Sequence, residues 1–440
     1  MLSGEWGDDL ARRIRTQIGT TRAEGWGLPD LSANVLSSVC SQLSTLYDSE
    51  PVVRHADPAG VMLASAVADG GWWELAQRVQ RDTLGLREMH VRIEVTPEGG
   101  LSYRPVPTDL VVASAPVWAP EEPHIYREAR LRDDPSASKQ IWTWDVFDIS
   151  GQSPSYRILD VGGEDISHLY GFPSGGLSGE AYVAQWSRPS GAPFIPVVTY
   201  HAQRTGSLYD HRAWLELVEG TLSTGVLWSY YGHAVRDASH PQRYAVGIEV
   251  PAAVGTGDRH AMVADPATVL LLAVDPEMQG QPTVGQWQPG CDPDVLGTSI
   301  GLYERRVASY AGISESDFGR MSGDPRSGYA LSISQAGARK AARRFEATFS
   351  RSDKRLLALS AAILGAAQDR PGAYPASGYS ITYPGPHQTT VELLDEIEKL
   401  MALGMLHPAD AYLRLHPHLT REQAVAALDD IARARRALAA

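Results

Sequence analysis

Apolar residues in the first 90 positions recur every three to four places. In DLSANVLSSVCSQLSTLY, Leu31, Val35, Val39, Leu43 and Leu46 share one helical face. GGWWELAQRVQRDTLG reads as a further helix with Gly85 as its stop signal. From about residue 89 to 162 the period falls to two. MHVRIEV, GLSYRPVP, HIYREARLR, IWTWDVFDI and SYRILDV alternate apolar with polar residues between turn clusters such as TPEGG, which predicts an antiparallel meander. The helical period returns at Ser207 and predicts a helix over 207–240. Leu208, Leu215 and Leu222 fall seven apart there, while Trp214, Leu217, Trp228, Tyr230 and Tyr231 add apolar surface on other sides. A helix apolar on several faces needs neighbours on several sides. RYAVGIEV and TVLLLAV, within 241–292, read as strands. A second helix follows over 293–313, with Pro293 at its start and Gly312 at its end. Two helices bracketing a β-rich insert form a stalk with a head.

The stretch from 333 to 368 is a long helix of uneven charge. Phe345, Phe349, Ser352, Leu356, Leu359 and Ile363 are spaced four or three apart and form one stripe. Arg339, Lys340, Arg343, Arg344, Arg351, Lys354 and Arg355 fall on the opposite half, against only Glu346 and Asp353 as acids. Such a face is either solvated, paired with acids of a neighbouring element, or in loose contact with phosphates. A strand, YSITYPG, leads on to a helical tail over 386–440, in which Gly404 is a stop and Thr420–Gln423 fits a capping box.

Charge sharpens this contrast. The 440-residue chain has a formal charge of −13, so the basic helix is a local exception. An acidic balance argues against a sequence-reading DNA-binding protein. Cys40 and Cys291 form neither a disulfide framework nor a ligand cluster. The N-terminus has no apolar signal-peptide core, and no apolar run reaches the roughly 18 residues of a membrane span, so a soluble protein made in the cytoplasm is expected.

Few residues carry recognisable chemistry. GTSIG at Gly297–Gly301 matches a nucleophile elbow, but GCDPDV before it is no buried strand. No phosphate-cradling loop and no dinucleotide fingerprint occur, so neither ATP hydrolysis nor a cofactor is expected. His407, His416 and His418 lack metal-ligand spacing, and Asp109, Glu121 and Glu122 read as solvated loop acids.

The order of the remaining motifs resembles the portal proteins of tailed bacteriophages and gene transfer agents. SGYALSISQAGARKAARRFEATFSRSDKRLLAL resembles the portal SG-x-AL motif before a long basic helix, with Ser327, Gly328, Ala330 and Leu331 as the motif residues. GAPFIPVVTYHAQRTGSLYDHRAWLELVEGTLS resembles the P-x-x-P segment leading into a first stem helix. The likeness covers about residues 190–440, and the N-terminal third follows only by element order.

The resemblance implies an α+β portal-type fold that forms a closed homo-oligomeric ring of about twelve subunits. Residues 1–206 would be the wing, helices 207–240 and 293–313 the stem, and 241–292 a small α/β clip. A tunnel loop would span 314–332, a long helix and wing return 333–385, and a helical crown 386–440. Leu208, Leu215 and Leu222 would pack the stem. In the tunnel loop Glu315, Asp317, Arg320, Ser322, Asp324 and Arg326 would line a channel for double-stranded DNA, without reading its sequence. Arg339, Lys340, Arg343 and Arg344 would touch neighbouring subunits or DNA, subunit packing being favoured because a basic lumen would hold DNA. The implied partners are the terminase large subunit, head-completion or adaptor proteins and the major capsid protein, at one vertex of a virion. Catalytic, cofactor and metal sites are not expected. The alternatives are another ring-forming connector or adaptor of the virion, or a soluble enzyme with an unrecognised site.

Overall fold

The helical period of the N-terminal third closes into four helices in the computed structural model. It describes residues 6–20, 29, 31–135, 139–210, 214–239, 243–246, 248–249, 273–274, 283–286, 292–313, 328–383, 390–416 and 421–439. Helix α1 spans Gly7–Ile18, α2 Val35–Leu43, α3 Pro58–Asp69 and α4 Trp72–Leu86, with strand β1, Val52–Arg54, between α2 and α3. Asn34 caps α2 by accepting from Ser37 N at 2.9 Å, and Asp57 caps α3 with Pro58 in its first turn. Val35, Val39, Leu43 and Leu46 are buried as the period requires, whereas Leu31, ahead of the helix, is exposed.

Gly85 does not stop α4. The helix runs through it, and Arg87 takes the left-handed conformation instead, at φ 74°. A non-glycine residue is strained there. Arg87 is held by its buried side chain, which pairs with Asp210 at 3.2 Å and lies 4.9 Å from the Trp214 ring.

The expected meander divides into two sheets. Strands β2, Glu88–Val95, and β3, Leu101–Pro107, form a hairpin, and β9, Val197–His201, joins β2 on its other side. β4, Val111–Ser114, β5, Ile125–Asp133, β6, Gln140–Asp148, β7, Ser155–Asp160, and β8, Leu177–Ser178, make a five-stranded antiparallel sheet. The break lies at Pro107, which has no N–H to extend the ladder and leads into a 3-10 turn over Thr108–Leu110.

Between the sheets the alternation is inverted, with charges inside. Arg92 of β2 is buried and pairs with Asp145 of β6 and, at 3.6 Å, with Glu128 of β5. Arg104 meets Glu128 at 2.5 Å, Arg130 meets Glu94 at 3.0 Å and Arg132 meets Asp145 at 2.7 Å. Burial raises the Asp145 pKa, but Arg92 and Arg132 more than reverse this and hold it below the usual carboxylate range. Tyr126, Phe147, Tyr156 and Ile158 surround the network with apolar surface.

Helix α5, Glu180–Gln185, precedes β9. Helices α6, Leu215–Ser239, and α7, Pro293–Ser309, bracket two antiparallel strand pairs: β10, Arg243–Val246, with β13, Thr283–Gln286, and β11, Ile248–Glu249, with β12, Ala273–Val274. Among the described residues the two helices thus bracket strand pairs. Then α8 runs 40 residues, Gly328–Ala367, longer at its start than the periodicity indicated. Strand β14, Ser380–Thr382, pairs with β1, joining two segments far apart in sequence. Helices α9, Thr390–Ala402, α10, Pro408–Leu415, and α11, Arg421–Ala439, form the tail, with Gly404 at φ 68° after α9.

The main core lies where α8 crosses α2, α3 and the three-stranded sheet. All six residues of the predicted stripe on α8 are buried. Asp353, one of the two acids within 333–368, is fully buried in this core. Its carboxylate accepts from Tyr47 at 2.7 Å, Tyr200 at 2.7 Å and Tyr383 at 2.5 Å. Burial pushes its pKa up from 3.8 to about 6, although the three hydroxyls oppose the shift. A raised carboxyl pKa stabilises the fold in acid and loses that contribution as pH rises through the folded value. The destabilisation caused by Asp353→Asn should thus shrink by roughly 2–3 kcal/mol between pH 4 and 6, read from urea titrations of both proteins across that range. A constant difference would show that Asp353 keeps an ordinary pKa.

Candidate functional site

The site begins with the helix pair α6 and α7. They run antiparallel: an added Cβ at Gly220 would lie 2.6 Å from Val307, and Trp228 Nε1 donates to Glu304 at 2.6 Å. Gly220 thus permits a close crossing that a larger residue would block. Gly225 does the same for α1, where an added Cβ would meet Trp6 at 2.8 Å. Trp6, Leu10 and Ile14 pack with Leu222 and Val226. On another side Leu36 N donates to Thr221 at 3.1 Å. Most neighbours needed by this multi-sided helix therefore come from its own chain.

The expected start of the first stem helix at Ser207 is corrected to Leu215. The segment before it is pinned elsewhere: Asp210 pairs with Arg87, and its N–H donates to Glu88. Leu208 is buried ahead of the helix, Leu222 is buried against α1, and Leu215 is 62% exposed. Only Leu215 of the heptad set faces outward. On α7, Val295, Leu302 and Tyr310, just past its end, are exposed.

Helix α8 carries the basic face, with side chains described from Arg343 onward. Arg343 and Lys354 are exposed. Arg344 donates to Ala311 O at 3.1 Å, just after α7, and lies 4.7 Å from the Phe345 ring. Arg355 pairs with Glu122, and Arg351 lies 3.9 Å from Glu121, which also accepts from Arg204 at 2.9 Å. Glu121 and Glu122 are thus not free loop acids but counter-ions of α8. Arg339 and Lys340, by their side chains, and Glu315, Asp317, Arg320, Ser322, Asp324 and Arg326 lie outside the described residues.

The other motifs resolve locally. Ser299 of GTSIG is in mid-helix, its hydroxyl donating back to Val295 O at 2.8 Å, which is not the strand-to-helix geometry of an elbow. His407 caps α10, accepting from Ala409 N at 3.2 Å. Cys40 is buried, and burial pushes its thiol up to about 12. Among the described residues no helix is long and apolar enough to cross a membrane.

No protein-family model matches the chain, and no curated protein matches it. Solved structures with a similar course of chain come from gene transfer agent (GTA) particles. One is a chain of the neck of an empty GTA particle in C6 symmetry, at 12% identity and TM-score 0.48, covering 88% of this chain and 90% of that one. A chain of the virion of a native particle gives 13% identity, TM-score 0.43 and 94% coverage of each. A chain of the neck of a native particle in C12 symmetry gives 12% identity, TM-score 0.42 and coverage of 92% and 93%.

The helix crossing supplies its own test. Alanine normally favours a helix interior over glycine by about 1 kcal/mol. At Gly232, where nothing lies within 4 Å, Gly232→Ala should stabilise by up to that amount. At Gly220 the contact with Val307 should reverse the sign, so that Gly220→Ala lowers the melting temperature and Gly220→Ala with Val307→Ala recovers part of the loss. Equal shifts for the two glycine variants would show that the helices do not cross closely there.

Proposed function

We propose that the chain is a portal subunit. In this reading about twelve copies close into a ring at one vertex of a virion, around a channel that admits, retains and releases double-stranded DNA. The observation that carries it is one of order. An antiparallel helix pair with a strand insert leads, after 18 residues, into a 40-residue helix that begins at Gly328 of the Ser327-Gly328-x-Ala330-Leu331 motif. The wing then ends ahead of Leu215, the stem helices are Leu215–Ser239 and Pro293–Ser309, the clip lies at 241–292, the tunnel loop at 314–327 and the crown at 386–440, with the segment from Gly328 to 385 returning from the stem to the wing. The clip meets the terminase large subunit during packaging and head-completion proteins afterwards, and the capsid protein surrounds the ring. Hydrolysis belongs to the motor, and the ring itself guides DNA.

Charge supports a guiding role. Each copy carries −13, so the wall repels phosphates and DNA slides. Arg344, Arg351 and Arg355 are engaged within their own chain, which removes them from the lumen. The loop at 314–327 holds Glu315, Asp317 and Asp324 against Arg320 and Arg326, a balance suited to transient phosphate contact.

Native mass measurement of the full chain should find a ring near about twelve copies. A monomer or dimer at all concentrations would overturn the reading. Deletion of Gly319–Gly323 should leave ring assembly intact while reducing the DNA retained per capsid. Normal genome retention by such rings would remove the loop from the channel.

A further inference from the structure

The five-stranded sheet has two apolar features that none of the described residues covers. One is the tip of the β4–β5 loop, where Val117 is 98% and Trp118 86% exposed. The loop is not slack: its far end is held by the pairs from Glu121 and Glu122 to Arg204, Arg351 and Arg355. The tip is thus presented on an anchored loop. The other feature is the outer sheet face. With charges turned inward, Ala129, Trp144 and Leu159 form one cross-strand row on the outside, and Leu131 and Trp142 form the next. Leu131 and Trp142 are 45% and 49% exposed, and none of the five belongs to a core cluster. An antiparallel sheet facing water ordinarily turns polar residues outward.

Resting on the ring reading above, we propose that the Val117–Trp118 tip of one copy seats on the Trp142–Trp144 face of the next copy. Position argues for a second copy in head-to-tail order. The tip lies where β5 begins, and the Leu131–Trp142 row lies near its end. Leu131 lies six residues after Ile125, about 20 Å along the strand. A contact between two different patches can run head to tail around a ring.

Charge and area agree with this occupant. The apolar rows are bordered by Arg127 and Arg157, both exposed and without an ion pair among the described residues, and another copy with net charge −13 brings an acidic surface to them. Buried aromatic side chains contribute about 150–250 Å² each, so the exposed parts of Trp118, Trp142 and Trp144 account for about 200–400 Å². That is a minor share of the about 1,200–2,000 Å² of a stable interface, and the exposed Leu215, Val295 and Leu302 of α6 and α7 are available for more.

Cysteine cross-linking of the full chain tests the contact. In a Cys291→Ser background, Trp118→Cys combined with Leu131→Cys should give, on mild oxidation, a ladder of covalent species beyond the dimer, while each single variant gives none. A disulfide requires Cα atoms within about 7 Å, so the ladder reports the seating itself. Native mass of the same preparation before oxidation separates the two ideas. Rings without a ladder overturn this contact and leave the portal reading standing, and the absence of rings overturns both. A covalent dimer from Leu131→Cys alone would overturn the head-to-tail contact in favour of face-to-face pairing. Trp118→Asp should also lower the ring fraction at least tenfold at fixed concentration, with an unchanged melting temperature of the monomer. An undiminished ring fraction would count against the proposal.

Discussion

The buried carboxylate of Asp353 is the point on which the rest of the molecule turns. A buried acid is tolerable only where donors surround it, and here three tyrosines from separate parts of the chain do so. Tyr47 follows α2, Tyr200 lies on β9, and Tyr383 follows β14. One side chain thereby fixes the long helix to the first helices, the three-stranded sheet and the returning strand at once. Apolar packing along α8 would hold these elements together but would tolerate sliding, whereas four polar groups of fixed geometry set the register.

The two sheets meet by a different device. Four arginines and three carboxylates fill the space between them, and Arg92 also lies 5.0 Å from the Phe147 ring. Turning charge inward leaves the apolar half of β5 and β6 for the outside. The interior network and the exposed tryptophan face are therefore two results of one strand register.

Much of this was legible in sequence. The stripe from Phe345 to Ile363 fixed which side of α8 enters the core, and a helix pair bracketing strands followed from period and punctuation. Asp353 lies four residues after Phe349 and three before Leu356, so its angle already put it beside the stripe, although its charge gave no sign of burial. The division into two sheets was hidden because β9 joins β2 from about a hundred residues away, and alternation says nothing about partners so distant. The pairing of Glu121 and Glu122 with α8 was likewise hidden, since contacts between a loop and a remote helix leave no periodic trace. Helix α1 docks on α6 through Trp6, Leu10 and Ile14, a spacing of four, and that signal was present but short.

Arg87 shows how a joint can restrict what evolution or engineering may place there. Its backbone demands glycine, while its side chain must reach Asp210 and lie beside Trp214. Glycine would release the strain and lose the clamp, lysine would keep a charge but not the planar fork, and alanine would lose on both counts. No substitution meets both demands, so the residue between α4 and β2 has few neutral alternatives. Homologues that vary at this position should therefore also vary at the paired acid or the tryptophan, as a linked set.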